Sequence, residues 1–313
     1  MNKQLISSII KIFMLVILGT IISAYFVLLV GGRIYFNPFF SVRKTIIHNP
    51  GLKDGLVPQG LTYDSDNDFF YTCGYMTNPE LASRIYQVDK KTKTEKYYEL
   101  YSENKPFLGH TGGLQYHEGQ FFLADEGTGL YVFTLPHNQQ EKIIDIGKPL
   151  SVNNHSSFVF AKDTFLYVGE FNDDEKYACT NSITYEGITH KAIVTKYALS
   201  DLTTPLTIYS IPNQIQGFAL LDDGTIVLSK SYGLSPSNYI VYNTDSQIPT
   251  NQHYDNAPVY FLAKPSKIIE GLPMSEDLDI KDGKVIAMVE SACKKYFFGN
   301  LYFDTKIYSL SIK

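Results

Sequence analysis

The chain has 313 residues, a formal net charge of −5 and 14% aromatic residues, none of which is tryptophan. No strongly basic segment and no alternation of aromatic with basic residues occurs, which argues against nucleic acid as a partner. Tyr, Phe, Thr, Val and Ile are abundant, and these residue types favour β-strands.

The N-terminal segment has the composition of a membrane helix. From Ile12 to Gly32 no residue is charged, and a helix needs ~20 predominantly apolar residues to cross a bilayer core. A cleaved signal peptide is the alternative, but its apolar region usually has only ~7–15 residues, and Arg33 to Phe36 form a poor cleavage context. Residues 12–32 therefore predict contact with a membrane.

This segment sets the expected domain organisation. We predict an N-terminal membrane anchor at 1–33, a short linker at 34–41 and a folded body at 42–313. Positive charges flank the apolar run on both sides, so they do not settle its orientation. We expect a single-pass protein of the cell membrane whose C-terminal domain is extracytoplasmic.

One sequence pattern occurs five times in the body. Each copy reads as a strand, a tight polar turn and a second strand, as in the segment from His110 to Glu126. The equivalent positions in the five copies are Gly60, Gly113, Ser157, Gly217 and Asp277. Repeats of roughly 40–50 residues built from short strands are typical of β-propeller blades. We predict five four-stranded blades; a sixth would have to lie within an insertion.

The last repeat lacks a fourth strand before the chain ends. Residues 42–48 have strand composition but belong to no repeat, so we predict that they complete the last blade and close the ring. Outer strands are expected at 141–146 and 258–262, among others. Two insertions, 173–191 and 244–256, interrupt the pattern, and we expect them on opposite sides of the ring.

Polar residues recur where second strands end and first strands begin. The second strands end in a column formed by Gly74, Glu126, Glu170, Ser231 and Glu290. The first strands begin with Gln59, His110, Asn154 and His155, Gln216 and Glu276. Because the first strand of each propeller blade lines the central channel, these residues should converge on one mouth.

This convergence predicts a ligand site. His110, His155, Glu126 and Asn154 are candidate ligands of Ca²⁺ or another divalent metal. A glutamate among like charges can act as a general base, and Glu290 and Glu170 are the candidate catalytic residues. The candidate ligand-binding residues are Gln59, Gln216, Glu276 and Lys230. The structural alternative is that these groups bind the backbone of the neighbouring blade.

The chain has three cysteines, Cys73, Cys179 and Cys293, which cannot all pair within one molecule. Cys73 and Cys293 lie near the ends of second strands in the first and last repeats, which become neighbours if the ring closes. One disulfide and three buried thiols are therefore both compatible with the sequence.

The repeats resemble the superfamily of propellers that includes gluconolactonase/regucalcin, paraoxonase and strictosidine synthase. The resemblance is carried by Gln59-Gly-Leu, by Gln216-Gly-Phe-Ala-Leu-Leu-Asp-Asp-Gly and by the glutamates that end strands. The last repeat, from Pro273 to Tyr296, resembles uncharacterised exported bacterial propeller proteins. Plant-type glutaminyl cyclases are five-bladed too, but their active site depends on tryptophans, which this chain lacks.

The resemblance implies calcium-dependent lactonase chemistry, in which Glu, Asn and Asp side chains hold the ion. Two functional hypotheses follow. In the first, a membrane-anchored ectodomain binds a small ligand, with or without a metal, and hydrolyses an ester or lactone through a metal-polarised carbonyl. In the alternative, a non-enzymatic propeller of the cell envelope binds partners or serves as a scaffold through its two insertions.

Overall fold

We analysed a computed structural model that describes residues 3–136, 142–299, 302 and 304–312. Two compact units are formed, Met1–Ser41 and Val42–Lys313. All three cysteines are buried and unpaired, so the structure contains three thiols and no disulfide among them.

The N-terminal unit is helical. Helix α1 spans Lys3–Tyr35 and helix α2 begins at Asn37 and ends at Val42. The 33 residues of α1 span about 50 Å at 1.5 Å per residue, more than the ~30 Å of a bilayer core. An 18-residue window of α1 has a mean hydropathy of 2.6, and none of that window is buried. The predicted apolar helix is therefore present and long enough to span a membrane.

The second unit is a five-bladed β-propeller, as the repeats predicted. A first strand, β1 (Arg43–His48), precedes the blades. Blade 1 contains β2 (Leu56–Asp64), β3 (Phe69–Met76), β4 (Arg84–Asp89) and β5 (Glu95–Ser102), with the short β6 (Lys105–Pro106) beside β5. Blade 2 contains β7 (Gly113–His117), β8 (Gln120–Asp125) and β9 (Gly129–Phe133), followed by β10 (Ile143–Asp145).

The remaining blades follow in chain order. Blade 3 contains β11 (Phe158–Lys162), β12 (Phe165–Gly169), the hairpin β13 (Ile183–Tyr185) and β14 (Ile188–His190), β15 (Ala192–Ala198) and β16 (Thr207–Ile211). Blade 4 contains β17 (Ile215–Leu220), β18 (Ile226–Lys230), β19 (Ser237–Tyr242) and β22 (Lys267–Gly271). Between β19 and β22 the chain forms β20 (Gln247–Tyr254) and β21 (Ala257–Leu262), which join the sheet of blade 3. Blade 5 contains β23 (Ser275–Lys281), β24 (Lys284–Val289) and β25 (Lys306–Leu310).

Strand β1 closes the ring, which confirms the prediction for residues 42–48. Strand β1 pairs antiparallel with β25, and Arg43 lies opposite Leu310. Arg43 also forms an ion pair with Asp304, just before β25. Strand β1 is thus the fourth and outermost strand of blade 5, and it covers the edge that β25 would otherwise expose.

Two predicted outer strands pair with a different blade from the one expected. Strand β10, within the predicted strand 141–146, runs parallel to β5 of blade 1; residue 141 lies outside the described residues. Strand β21, expected as the outer strand of blade 4, runs parallel to β16 of blade 3. The outer strand of blade 4 is β22 instead. In both places the chain crosses back and covers the exposed edge of the preceding blade.

Tight hairpins connect many first and second strands. Glu118 and Gly119 join β7 to β8, and Asp282 and Gly283 join β23 to β24. All four residues have positive φ, between 47° and 84°, which matches the turn that suits the right-handed twist of two-stranded hairpins. These turns lie at the opposite end of the strands from the polar column.

The five first strands, β2, β7, β11, β17 and β23, pack side by side around the axis. Their backbones approach very closely at the repeated glycine position. A Cβ atom on Gly60 would lie 2.6 Å from the Leu114 nitrogen, and one on Gly217 would lie 2.8 Å from the Leu278 nitrogen. The glycine of the repeat is therefore required by the narrow centre of the ring.

We predict that Gly60→Ala destabilises the propeller by about 1–3 kcal/mol, because the added Cβ overpacks the axis. Its nearest neighbours would be Cys73 Sγ at 2.5 Å and the Leu114 nitrogen. Denaturant unfolding of the full chain in detergent measures the change. Gly127→Ala is the matched control, since its Cβ would meet nothing closer than 3.7 Å. Equal stabilities for the two variants would contradict the close-approach argument.

Candidate functional site

A cavity of about 810 Å³ opens at the mouth where second strands end. All five blades contribute polar side chains to its lining, which include Gln59, His110, Glu126, His155, Gln216, Ser231, Glu276 and Glu290. The first strands begin at this end of the ring and the second strands finish here, so the repeat itself places these groups together. The structure therefore brings together most of the polar residues that the sequence singled out.

A hydrogen-bonded cluster forms one wall of the cavity. Gln59 Nε2 donates to Glu290 Oε1 at 2.7 Å, and the Tyr75 hydroxyl donates to the same oxygen at 3.3 Å. Lys295 Nζ donates to the Tyr75 hydroxyl at 2.8 Å and lies 4.4 Å from the centre of the Tyr75 ring. Blade 1 and blade 5 adjoin in the ring, which explains why Gln59 and Glu290 meet.

Glu276 lies beside this cluster and differs from it in having no partner. Its side chain is only 3% exposed, yet no hydrogen bond from any described residue reaches its carboxyl group. Burial raises the pKa of Glu276 well above its usual value, and the nearby charges of Glu290 and Asp277 raise it further. Burial also raises the pKa of Glu290 to about 7, against the opposing effect of its bonds from Gln59 and Tyr75.

His110 and Glu126 also line the cavity. The His110 ring stacks on Tyr75 with 5.0 Å between ring centroids. It is open to the cavity but surrounded by protein, and this desolvation lowers its pKa despite the charge of Asp125. Burial raises the pKa of Glu126 to about 7, helped by the charge of Asp173. Three carboxyl groups with raised pKa, those of Glu126, Glu276 and Glu290, thus line the cavity.

The first insertion completes the wall of the cavity. It contributes Lys176 and Tyr177, neither of which the sequence indicated as a site residue. The Tyr177 ring packs edge-on against Phe171, and Phe171 lies 6.3 Å from Tyr232 between ring centroids. Aromatic residues in a propeller loop give no periodic signal, so sequence reasoning had no means of assigning them to the mouth.

Glu170 and Asn154 line an adjoining pocket of about 520 Å³ rather than the main cavity. The Glu170 carboxylate accepts bonds from the His155 nitrogen at 3.2 Å, the Ile193 nitrogen at 3.1 Å and Asn181 Nδ2 at 2.7 Å. Asn154 donates to Val168 O at 3.0 Å. These contacts lie within blade 3 and not with the neighbouring blade that the structural alternative named, and the catalytic role of Glu170 stays a prediction.

Lys230 is the third predicted residue outside the cavity. It is the last residue of β18, where it lies opposite Ile215 and Asn238, and it is half-buried. It does not appear in the lining of the cavity, so a contact between Lys230 and a mouth ligand has no geometric support.

The predicted metal site finds no supporting arrangement. Within residues 3–136 and 142–299 and the few described beyond them, no three His, Cys, Asp or Glu side chains are grouped to hold a metal ion. Of the predicted ligands, Asn154 accepts a bond from the Tyr197 hydroxyl at 3.0 Å, and His110 is stacked on Tyr75. The metal therefore stays a prediction.

We expect the two insertions on opposite sides of the ring, and the structure shows that this prediction is wrong. Gln252 Nε2 of the second donates to Thr184 O of the first at 3.1 Å. Asn153 Nδ2 at the mouth donates to Asp255 Oδ2 at 3.3 Å. Because β21 crosses back to blade 3, it carries the second insertion towards the first, which sequence order alone could not show.

Comparison with known proteins adds little beyond the fold. No protein-family model matches the chain, and no curated protein matches its sequence. Among solved structures, the chain is similar to the glutaminyl cyclase of Myxococcus xanthus at 8% identity and a TM-score of 0.48, over 86% of this chain and 96% of that one. The PQQ-bound aldose sugar dehydrogenase of Streptomyces coelicolor gives 11% identity and a TM-score of 0.46, over 86% and 97%.

A putative oxidoreductase (glucose dehydrogenase) of Thermus thermophilus is similar at 10% identity and a TM-score of 0.44, over 86% of this chain and 99% of that one. These values are too low to carry an argument about function. The propeller fold implied by the resemblance is observed in the strand topology itself. Membership of the gluconolactonase, paraoxonase and strictosidine synthase superfamily stays a prediction.

We predict that the free energy of unfolding falls as pH rises from about 6 to about 8. Burial holds the pKa of Glu126, Glu170 and Glu290 at about 7 in the folded protein. In the unfolded chain these groups are already ionised above about pH 6, so the folded protein binds more protons in this range and loses the associated stability as they leave.

Denaturant unfolding at three pH values across this range tests the prediction. Glu126→Gln should reduce the slope, by at most about 1.4 kcal/mol per pH unit. Glu118→Gln changes an exposed turn glutamate and should leave the slope as it is. A stability that stays constant or increases towards higher pH would show that these carboxyl groups are not protonated in the fold.

Proposed function

We propose that this propeller binds a small organic ligand in the cavity at its mouth. The observation that carries the proposal is the convergence of polar side chains from all five blades on one cavity of about 810 Å³. Cavities of roughly 300–1,000 Å³ are the usual size of small-molecule sites. A purely structural rim would not need to enclose such a space.

The availability of the cavity groups supports binding. No described residue donates to or accepts from the side chains of Gln216 and His155, and Glu276 is equally without a partner. Of the three only Glu276 is buried, and a buried polar group without a hydrogen bond is costly unless something else bonds to it. By contrast, Glu170 and Asn154 in the adjoining pocket are engaged with the protein. The side chains without a partner, those of Gln216, His155 and Glu276, line the main cavity.

The proposal stands without a hydrolytic step. Ester or lactone hydrolysis, as we had hypothesised, required a metal to polarise the carbonyl, and the described residues do not gather ligands for one. Glu290 remains the group best placed to act as a base, because it faces the cavity with a pKa of about 7. Its catalytic role is part of the proposal only if a reaction is found.

The alternative, a scaffold acting through its insertions, rests on one observation. In the hairpin of β13 and β14, Ile188 begins β14 and is 53% exposed. Failure to find a small ligand would move the proposal to this surface.

We expect His155→Trp to abolish ligand binding, because the indole would fill the cavity from its exposed rim. Saturation-transfer-difference NMR with mixtures of small metabolites and the full chain in detergent identifies the ligands. Lys284→Trp, at the exposed start of β24 on the other end of the ring, is the matched control. Signals that persist in His155→Trp, or a complete absence of ligands, would count against the mouth as a binding site.

We further propose that α1 anchors the propeller in the cell membrane, with residues 42–313 on the extracytoplasmic side. The exposed apolar side chains of α1 and its place near the N-terminus, as in an uncleaved export signal, support this arrangement. The distribution of positive charge does not decide the orientation.

Labelling with a membrane-impermeant maleimide tests the orientation. The three native cysteines are buried and should not react. A cysteine introduced by Lys284→Cys should be labelled on intact cells, whereas one introduced by Ser7→Cys should be labelled only after lysis. The reverse pattern would place the propeller inside, and labelling of both positions only after lysis would rule out an extracytoplasmic body.

A further inference from the structure

We infer that the ligand of the mouth is a small organic cation whose ammonium group binds between Glu276 and Glu290. The inference rests on the proposed binding function and specifies the class of ligand. Four features of the cavity carry it: the charge of its lining, the unpartnered carboxyl of Glu276, the free oxygen of Glu290 and the aromatic rings around them.

The lining of the cavity carries more acidic than basic groups. Its carboxyl groups are Asp125, Glu126, Glu276 and Glu290, whereas Lys176 is its one lysine among the described residues. Lys295 lies nearby, but its ammonium group is engaged with the hydroxyl and ring of Tyr75. An anionic ligand would meet repulsion from most of the wall, and a cation would meet attraction.

Glu276 is the strongest single indication of a ligand. Its side chain is 97% buried, it lines the cavity, and none of the residues described here forms a hydrogen bond with its carboxyl. Asp277, the next residue, shows the contrasting case, because it accepts bonds from the backbone nitrogens of Leu61 and Leu114. The carboxyl group of Glu276 is part of the cavity lining, where a ligand that carries N–H groups can donate to it.

An ammonium group matches the acceptors that remain. It has three N–H donors and no acceptor. Besides Glu276, the second oxygen of Glu290 is available, since Gln59 and Tyr75 both donate to its Oε1. The side-chain carbonyl of Gln216 is a third acceptor in the same lining. The charge of Glu290 opposes ionisation of Glu276, and a bound monocation would offset that repulsion.

Aromatic rings would hold the rest of the ligand. Tyr75 and Tyr296 already accept a cation on their faces, with Lys295 Nζ at 4.4 and 5.0 Å from the two ring centroids. Phe171 and Tyr232, 6.3 Å apart between centroids, form an apolar surface in the same cavity. The site therefore fits an amine attached to an apolar or aromatic body.

A graded set of probes tests the class of ligand. Benzylammonium, benzyl alcohol and benzoate share one body and differ in charge. Isothermal titration calorimetry with the full chain in non-ionic detergent, with empty micelles as the blank, should show benzylammonium binding about tenfold or more tightly than benzyl alcohol, a difference of about 1.4 kcal/mol. Benzoate should bind most weakly.

Two variants locate the charge. Glu276→Gln should weaken benzylammonium about tenfold and leave benzyl alcohol nearly unchanged, because glutamine keeps the shape of the side chain but cannot ionise beside the ammonium group. Glu290→Gln should act in the same direction and serves if Glu276→Gln does not fold. Glu118→Gln, the same chemical change in an exposed turn at the far end of the blades, should leave the affinity of benzylammonium as it is.

The outcomes separate the two levels of the proposal. Equal or tighter binding of benzyl alcohol or benzoate, or an ammonium affinity unchanged in both glutamine variants, overturns the cationic ligand while the mouth remains a binding site. No binding of benzylammonium, when the metabolite screen has found another ligand, also overturns it. No binding of any probe and no ligand from the screen would remove the binding function as well.

Discussion

The close packing of five backbones around the axis is the constraint on which the rest of the propeller depends. Two features allow it: glycine at the repeated position of most first strands, and a carboxylate at that position in the last. Asp277 Oδ2 accepts the backbone nitrogens of Leu61 at 3.3 Å and Leu114 at 3.0 Å, so one side chain joins the inner strands of three blades. Two residues on, Asp279 Oδ2 accepts the Tyr63 nitrogen at 2.7 Å. At these points the buried acids of blade 5 accept hydrogen bonds from backbone N–H groups of the neighbouring first strands.

A narrow axis also decides what happens at the mouth. Because the inner strands are tightly drawn together, the residues immediately before them and after the second strands fall within one cavity. Some of these residues bond to the neighbouring blade, as Gln59 does to Glu290. Others, such as Glu276 and Gln216, do not. The distinction between engaged and available polar groups separates structural from ligand-binding residues more clearly than residue type does.

The sequence repeat predicted most of the fold but only part of the candidate site. The repeat predicted the five blades, the closing strand 42–48 and the polar mouth, because each depends on a local pattern of strand, turn and strand. It did not predict that β10 and β21 pair in parallel with strands of the preceding blades. Parallel pairing involves no tight turn that a sequence would reveal, and a short apolar strand can pair with the edge of more than one sheet. The misplaced insertions followed from that error.

Glu170 shows how hydrogen-bond partners alter the interpretation of a predicted site residue. From sequence it was one more glutamate in the column at the mouth. In the structure its carboxylate joins the backbone of His155, at the rim, to Asn181 within the first insertion and to Ile193 in β15, just after it. That insertion supplies Lys176 and Tyr177 to the cavity. Since burial raises the pKa of Glu170 to about 7, the bonds that position this wall are strongest when the group is ionised, above neutral pH. Glu290, whose pKa is also about 7, ionises over the same pH range, and its negative charge favours a bound cation. A rise in pH through 7 therefore strengthens both the hydrogen bonds of Glu170 and the attraction of the mouth for a cation.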